Sequence, residues 1–542
     1  MITKLPFGLY HACRQIKVRT VVKVSVIALL WITIVNPGRI HSDTLVRLQM
    51  SHAWWTGTEE VSSQYRPVER GDSIAGVSVG GKRYGVYDPG QSLLMLPGDW
   101  VGTQLNRFFN VQSPQDLRPL VVSILIFIPL NVATVVACYW LLRLFDFSER
   151  IAGLSSLLWL LGTTVLHYAQ FPMQNNQILL CVTLGYAGAL ACVKQQKWKF
   201  ALLSGLALGA AILIRTSSIF HVATVGLFLV GGLIYQDRDW VKLLKYFGWW
   251  IVGLMPLTLL GRVIDNLRYG SFWATGYTLS QKQMNTDPIY ANLPPLPDNY
   301  PFTNPPHLGI LGVLFSPAKS IFIYDPLLLP SLILAIIFWK RLSPYIHWYL
   351  ITAFFNLLIH IAFTSRLIFW SGDGAWGARY HVTSVHLLLI PLLAVFVQYL
   401  FSVRGWKRWL MRGLITLALL VQIASVILMH PLEARQKSWG VPGTRFEFRL
   451  GQRFINIVCL VNGSFSPGCV SRYKSRMTPK KQGEFVKSVE IYNQIYFFPF
   501  TFYQDAHGNP TWLRVSYLLF LLWGLLLILA IAITWQFCFL SS

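Results

Sequence analysis

The chain has 542 residues, of which 54% are hydrophobic, 14% aromatic and only 13% charged, with a mean hydropathy of +0.48. That mixture is too apolar for a soluble fold and predicts an all-α integral membrane protein with membrane lipid around it. A formal net charge of +24 would suit a nucleic-acid binder in water, but here the basic residues crowd the short loops between apolar runs, where they set orientation, so nucleic acid is not an expected partner.

A bilayer core of about 30 Å needs roughly 20 apolar residues per helical crossing. The sequence predicts about twelve transmembrane helices, beginning near residues 20, 119, 150, 175, 198, 219, 246, 321, 345, 381, 412 and 513. Long Leu-rich runs favour helices over a barrel. The first run, Thr20–Val35, follows Lys4, Arg14, Lys17 and Arg19 and has no small-residue cleavage site after it, so it reads as a retained anchor. Arg143 and the basic stretches 194–199, 238–245, 340–341 and 404–412 fall on the same side, which predicts cytoplasmic termini. Four segments then project outward, at about 37–118, 267–320, 366–380 and 431–512.

In the first outer segment, Asp43–Thr56 predicts a helix along the bilayer surface: Leu45, Leu48 and Met50 alternate with polar positions, and Trp54 and Trp55 suit the interface. Arg47 lies four residues after Asp43 and shares its helical face. A carboxylate so close to the first crossing either caps the helix or meets a lipid-linked substrate, where it can take the proton of an attacking hydroxyl. Gly80-Gly81 predicts a turn, then an extended stretch through Lys82, Arg83, Tyr84 and Tyr87 to Asp88-Pro89-Gly90, then a second interfacial or half-inserted helix over 91–96.

Arg215 ends the apolar run 202–214, so it either snorkels to the headgroups or has an anionic partner. Asp237-Arg238-Asp239 has the spacing of a metal-ligand pair but falls in a short turn with no nucleotide-binding pattern, and reads as a solvated loop. Six prolines between 292 and 306 predict a non-helical flap. Ser316-Pro317-Ala318-Lys319 and Tyr324-Asp325-Pro326 set a Lys and an Asp near an outer boundary. The stretch 370–380 joins Gly-rich turns to Trp370, Asp373, Trp376, Arg379 and Tyr380; aromatic faces stack on sugars and Arg grips phosphate, although an interfacial aromatic belt has the same composition. The last outer segment is strongly basic (Arg435, Lys437, Arg445, Arg449, Arg453, Arg472, Lys474, Arg476, Lys480, Lys481) and reads as a solvated loop or as a face for an anionic lipid or acceptor. Within it Cys459 and Cys469 are placed to close a short disulfide loop, while Cys13, Cys138, Cys181, Cys192 and Cys538 read as apolar filler. There is no P-loop, no nucleophile elbow and no His pair at metal-ligand spacing; cleft carboxylates leave a divalent metal open as the one cofactor to consider.

In order along the chain, these stretches resemble the GT-C superfamily of polyprenyl-phosphate-sugar glycosyltransferases, which includes protein mannosyltransferases and the transferase that adds aminoarabinose to lipid A. Six motifs between about 20 and 400 carry the resemblance: Asp43 with Arg47; Gly81-Lys82-Arg83-Tyr84 to Pro89-Gly90-Gln91-Ser92-Leu93-Leu94; Gly205-Leu206-Ala207-Leu208-Gly209 with Arg215; Asn266-Leu267-Arg268-Tyr269-Gly270-Ser271 with Thr275-Gly276-Tyr277; Leu314-Phe315-Ser316-Pro317 to Tyr324-Asp325-Pro326; and 370–380. The resemblance implies an inverting transfer of a sugar from a polyprenyl-phosphate donor to a lipid, glycan or protein acceptor, on the outer face of a bacterial inner membrane. It implies Asp43 as the catalytic base and Arg47, Lys82, Arg83, Arg215 and Arg379 as donor-phosphate contacts. Tyr84, Tyr87, Asp88, Trp370, Asp373, Trp376 and Tyr380 would be sugar or acceptor contacts. Residues 1–430 would form the catalytic membrane module with 37–118 as its first outer loop, and 513–542 the last crossing; 431–512 match none of these motifs and read as a basic outer region, a candidate place for acceptor choice. Two positions depart from the pattern. Thr44 stands where relatives often carry a second acid, which leaves metal use open. Asp88 stands where they often carry Lys, which leaves open whether it is an auxiliary acid or whether Lys82 and Arg83 replace that Lys.

Two other readings share the composition. A secondary transporter or lipid-sugar flippase predicts mid-helix ionisable residues and repeat symmetry, neither of which stands out. An O-antigen-type ligase or polymerase would share the large outer loops but take a diphosphate donor.

Overall fold

The computed structural model describes residues 18–540 apart from 65, 68–75, 112–115, 439, 442, 467, 470–493 and 507–508. The expectations for Lys4, Cys13, Arg14, Lys17, Arg472, Lys474, Arg476, Lys480 and Lys481 lie outside the described residues. The chain opens with α1 (Val18–Val35), α2 (Asp43–Thr56), a hairpin of β1 (Val77–Val79) and β2 (Lys82–Tyr84), and α3 (Gly90–Phe108). Then come α4 (Arg118–Leu144), α5 (Glu149–Leu161), α6 (Val165–Gln170), α7 (Gln174–Gln195), α8 (Trp198–Ile214), α9 (Ile219–Asp237), α10 (Trp240–Tyr269) and α11 (Gly276–Gln283). The rest holds α12 (Pro306–Phe315), α13 (Ile321–Tyr324), α14 (Leu328–Ile337), α15 (Pro344–Thr364), α16 (Val382–Ser402), α17 (Trp406–Ile427), α18 (Leu432–Ser438), α19 (Arg449–Val461), α20 (Phe498–Asp505) and α21 (Pro510–Trp535).

The protein is an integral membrane protein, mostly helical. Among the described residues, eight helices are long and apolar enough to cross a bilayer: α4, α7, α9, α10, α15, α16, α17 and α21. Eight of the twelve expected runs are thus helices of spanning length. The other four runs also form helices, but shorter ones. Those near 20 and 198 become α1 and α8, and that near 150 becomes α5, closed at Gly162. The run near 321 breaks into α13 and α14 because Pro326 disfavours helical backbone at Asp325, whose carboxylate instead accepts from the backbone N and Oγ1 of Thr164 at 2.7 and 3.0 Å.

The main core joins α1, α4, α5, α7, α9, α15 and α16. Small residues let α8 and α10 approach at backbone distance: a Cβ on Gly209 would stand 2.6 Å from the Leu254 carbonyl oxygen. This is the packing role of the 205–209 motif. At one end of the bundle the connecting segments are tied together by buried polar groups. Glu60 accepts from Arg268 at 2.8 and 3.2 Å, from Trp54 Nε1 at 2.7 Å and from the Gly85 amide at 2.8 Å, while the Tyr269 hydroxyl donates to the Gly85 carbonyl at 2.7 Å. The hairpin, with register Val77↔Tyr84, is thereby clamped to the end of α10. No regular helix longer than a single turn forms between α11 and α12, as the prolines predict; its one 3-10 turn is Pro288–Tyr290.

Candidate active site

Helix α2 begins where Ser42 takes a left-handed backbone (φ 54°) and stops at Gly57 (φ 73°), where a side chain would be strained. Ser42 rather than Asp43 occupies the cap position. Asp43 turns its carboxylate across the bundle end, and its Oδ2 accepts from Arg379 Nη2 at 2.6 Å. Burial would raise the pKa of Asp43, but Arg379 and then Arg47 outweigh it and hold the group at about 2, with the Tyr87 hydroxyl bonding to it as well. Tyr87 itself is pushed well above the ordinary phenol range, first by burial and then by Asp43, so it stays protonated and able to donate.

Arg47 is 2% exposed, its Nε has no hydrogen-bond partner among the described residues, and its guanidinium lies 4.0 Å above the Tyr87 ring. Arg215 and Arg379 share the Tyr380 ring, at 5.4 and 5.5 Å from its centroid. Among the described residues, the only ion pair of these three guanidiniums is that of Arg379 with Asp43. The placement of Arg215 follows from the Asp88-Pro89-Gly90 turn. A Cβ on Gly90 would stand 2.5 Å from the Ile214 nitrogen, so only glycine lets the start of α3 meet the end of α8. Beside it, the two Asp88 oxygens accept from the backbone N and Oγ1 of Thr216 at 3.0 and 2.8 Å. Asp88 thus caps the turn that follows Arg215.

At Thr44 the hydroxyl donates to the Pro172 carbonyl at 3.0 Å in a buried position. A carboxylate there would face that carbonyl with no proton to donate, which accounts for the single acid. Tyr277, outside the expected set, also borders this cluster: Gly276 packs against the Val86 carbonyl, and the Tyr277 ring stands edge-on to Tyr87 at 6.2 Å. The Gly276-Tyr277 pair within the fourth motif was the available signal; Thr216 carried none.

The structure brings Asp43, Arg47, Tyr87, Asp88, Arg215, Arg379 and Tyr380 together and places the other expected residues elsewhere. Lys82 is exposed beside the Gly80-Gly81 turn, and Arg83 faces Asp287 at 3.9 Å. Tyr84 meets Tyr269 edge-on at 6.2 Å. Hairpin pairing directs these side chains to the ends of α10 and α11 instead of to Asp43. Trp370 packs on Gly312 of α12. Asp373 is exposed at φ 51° and offers its backbone carbonyl to Lys319 Nζ at 2.7 Å. Trp376 is fully buried and stacks on His167 at 5.8 Å. The aromatic faces of Trp370 and Trp376 are thus consumed by packing, and only Arg379 and Tyr380 of that stretch reach the cluster.

A second ionic group lies behind it. Glu433 accepts from Arg453 at 2.6 and 2.7 Å and from Arg449 at 3.3 Å, all three side chains fully buried. Arg449 also donates to the carbonyls of Ala375 and His430, and Lys319 to those of Asp373 and Ala375. The solvated basic loop expected here is corrected for Arg449 and Arg453, which point inward. Cys459 and Cys469 are disulfide-bonded. Among the described residues no group of three or more His, Cys, Asp or Glu side chains forms a metal cage. Asp237 pairs with Lys242 at 2.8 Å and Asp239 caps α10, as a solvated turn would.

Residues 124–273 match the family model of the dolichyl-phosphate-mannose-protein mannosyltransferases; of the cluster, only Arg215 and Thr216 fall within that stretch. Similar solved structures include ArnT from Cupriavidus metallidurans bound to undecaprenyl phosphate, at 13% identity and TM-score 0.45 over 85% of this chain and 81% of that one. The apo form of that protein aligns at 14% identity and TM-score 0.40, covering 87% and 74%. No curated protein matches.

Proposed function

We propose, on the GT-C superfamily membership that the match over 124–273 supports, that this chain is a polyprenyl-phosphate-dependent glycosyltransferase that inverts the anomeric centre. The observation that carries the reading is the ionised Asp43 beside two guanidiniums, Arg47 and Arg215, that have no carboxylate partner among the described residues. In a single displacement the acceptor oxygen bonds to the anomeric carbon as the bond from that carbon to the phosphate oxygen breaks. The hydroxyl proton passes to Asp43, and the electron pair leaves with the phosphate. A phosphodiester donor carries one negative charge and its monoester product gains more. Cations aimed at the departing oxygen therefore act most strongly in the transition state. Three guanidiniums against Asp43 and Asp88 leave one positive charge over, which favours a monophosphate donor over the diphosphate of a ligase or polymerase. As the donor phosphate draws on Arg379, Asp43 loses its nearest counter-charge and becomes the stronger base.

Sidedness has support of its own. Asn175 at one end of α7 donates to the Arg379 carbonyl, whereas Lys194 at the other end bonds Asp146 among the basic turns. The cluster therefore lies across the bundle from the residues that orient it, and we place it on the outer face with cytoplasmic termini. On this reading the region after 430 is continuous with the membrane module of 1–430, since Arg449 holds the Ala375 carbonyl. The testing experiment incubates wild type and Asp43→Asn, reconstituted in vesicles, with radiolabelled polyprenyl-phosphate sugars and a membrane extract as acceptor. Transfer by wild type should fall by about 10²–10⁴-fold in the variant while donor binding is retained. Equal transfer by both proteins would remove Asp43 from the chemistry, and transfer by neither would favour a transporter or flippase.

A further inference from the structure

Helix α19 is built inside out for a helix in water. Arg449, Gln452, Arg453, Asn456 and Cys459 recur at helical spacing on one face, and all five are buried. The buried face is polar and satisfied: Asn456 bonds Glu433 and Gln436, and Arg453 donates to the Ser425 and Leu428 carbonyls at 3.4 and 2.9 Å. The opposite face is apolar and open, with Phe454 41%, Val458 39% and Val461 91% exposed, and Phe465 just beyond it 57% exposed. No charged residue lies between 454 and 465.

We propose that α19 is seated in the membrane, its outward face against the acyl chains of the leaflet on the active-site side. Continuity with the lipid-facing surface of the spanning helices identifies the occupant. Leu450, at the start of α19, lines a groove of about 500 Å³ with Phe322, Leu329, Ile333, Leu417 and Val421. Leu329, Ile333 and Leu417 are half exposed on α14 and α17, and α17 is a candidate span. Val421 stands six residues before the end of α17, about 9 Å along the axis. Helix α19 therefore runs beside the last turns of a crossing, not above it, at the 5–10 Å depth to which interfacial helices sink. Its charges do not oppose this seating, because both arginines face Glu433 instead of lipid.

The test uses the full-length protein in vesicles of phosphatidylethanolamine and phosphatidylglycerol. A nitroxide is attached at Phe454→Cys after Cys13, Cys138, Cys181, Cys192 and Cys538 are replaced by Ala, with Cys459 and Cys469 left intact. Power saturation should show collision with oxygen severalfold above collision with a water-soluble nickel chelate, as at a Leu417→Cys lipid control and opposite to a Lys437→Cys water control. Preference for nickel at residue 454 overturns the proposal. Inaccessibility to both reagents also overturns it, since a second copy or another part of the chain would then cover the face. A phospholipid with a photoreactive acyl chain provides the same answer on unmodified protein: adducts on peptides spanning 450–465 are expected, and adducts confined to the spanning helices would refute the seating.

Discussion

Glu433 with Arg449 and Arg453 uses the same ions as Asp43 with Arg47 and Arg379, yet the two groups are finished differently. Around Glu433 both carboxylate oxygens are taken by guanidinium nitrogens, the remaining donors are spent on backbone carbonyls of 425–430 and 375, and water is excluded. Among the described residues, one hydrogen bond joins Asp43 to Arg379, both of those side chains are 22% exposed, and the Arg47 Nε has no hydrogen-bond partner. A buried ion whose partners all belong to the protein is part of the framework, because removing one partner strands the other in low dielectric. An ion that the fold holds in place without neutralising is available to a ligand.

The sharpest way to break this comparison is Glu433→Gln. It should cost about 3–5 kcal/mol of stability through the stranded arginines, read as a drop in unfolding temperature in detergent, while Asp43→Asn should lose clearly less because Asp43 and Arg379 are both partly exposed. Similar losses for both variants would erase the distinction. Next in size, Arg215→Gln should lower kcat/KM for a polyprenyl-phosphate sugar by about 10²–10³-fold, the usual loss for one preorganised donor at a departing oxygen. An unchanged value would make Arg215 a headgroup anchor.

A smaller effect lies in pH. Since Asp43 is held at about 2, below its unfolded value near 3.9, its contribution to stability is present above that unfolded value and is lost as pH falls toward about 2. The kcat/KM profile of wild type should show no acid limb from this group until pH nears that value. Arg379→Gln removes the largest lowering influence while burial still raises the group. The limb should then move upward, into or above the ordinary carboxylate range, in the residual activity of that variant. Smallest of all, Lys82→Ala should change donor KM by less than about twofold, as expected for an exposed site without fixed partners; a large rise would bring the hairpin back to the phosphate.

Local features were read correctly from the pattern of residues. The bounds of α2, the turn at Gly80-Gly81 and the non-helical proline stretch depend on side-chain period, on left-handed backbone and on the missing proline amide, all of which act within a few residues. The shared face of Asp43 and Arg47 is likewise set by helix geometry. The pairing of Asp43 with Arg379 spans 336 positions and that of Asp88 with Thr216 spans 128, and no local rule reaches so far. Trp376 shows the same limit, because an indole suits an interfacial belt, a sugar platform and a core equally well, and packing under Arg449 and Arg453 placed it in the core.

By itself, then, the sequence determined that this protein lives in a bilayer, where apolar runs become helices, and which acid stands beside which arginine on α2. Tertiary structure alone decided which cations remain free and which are sealed, and which face of α19 turns inward. Those outcomes depend on how many partners distant segments bring to each charge, and periodicity defines the faces of a helix without saying which of them will be covered.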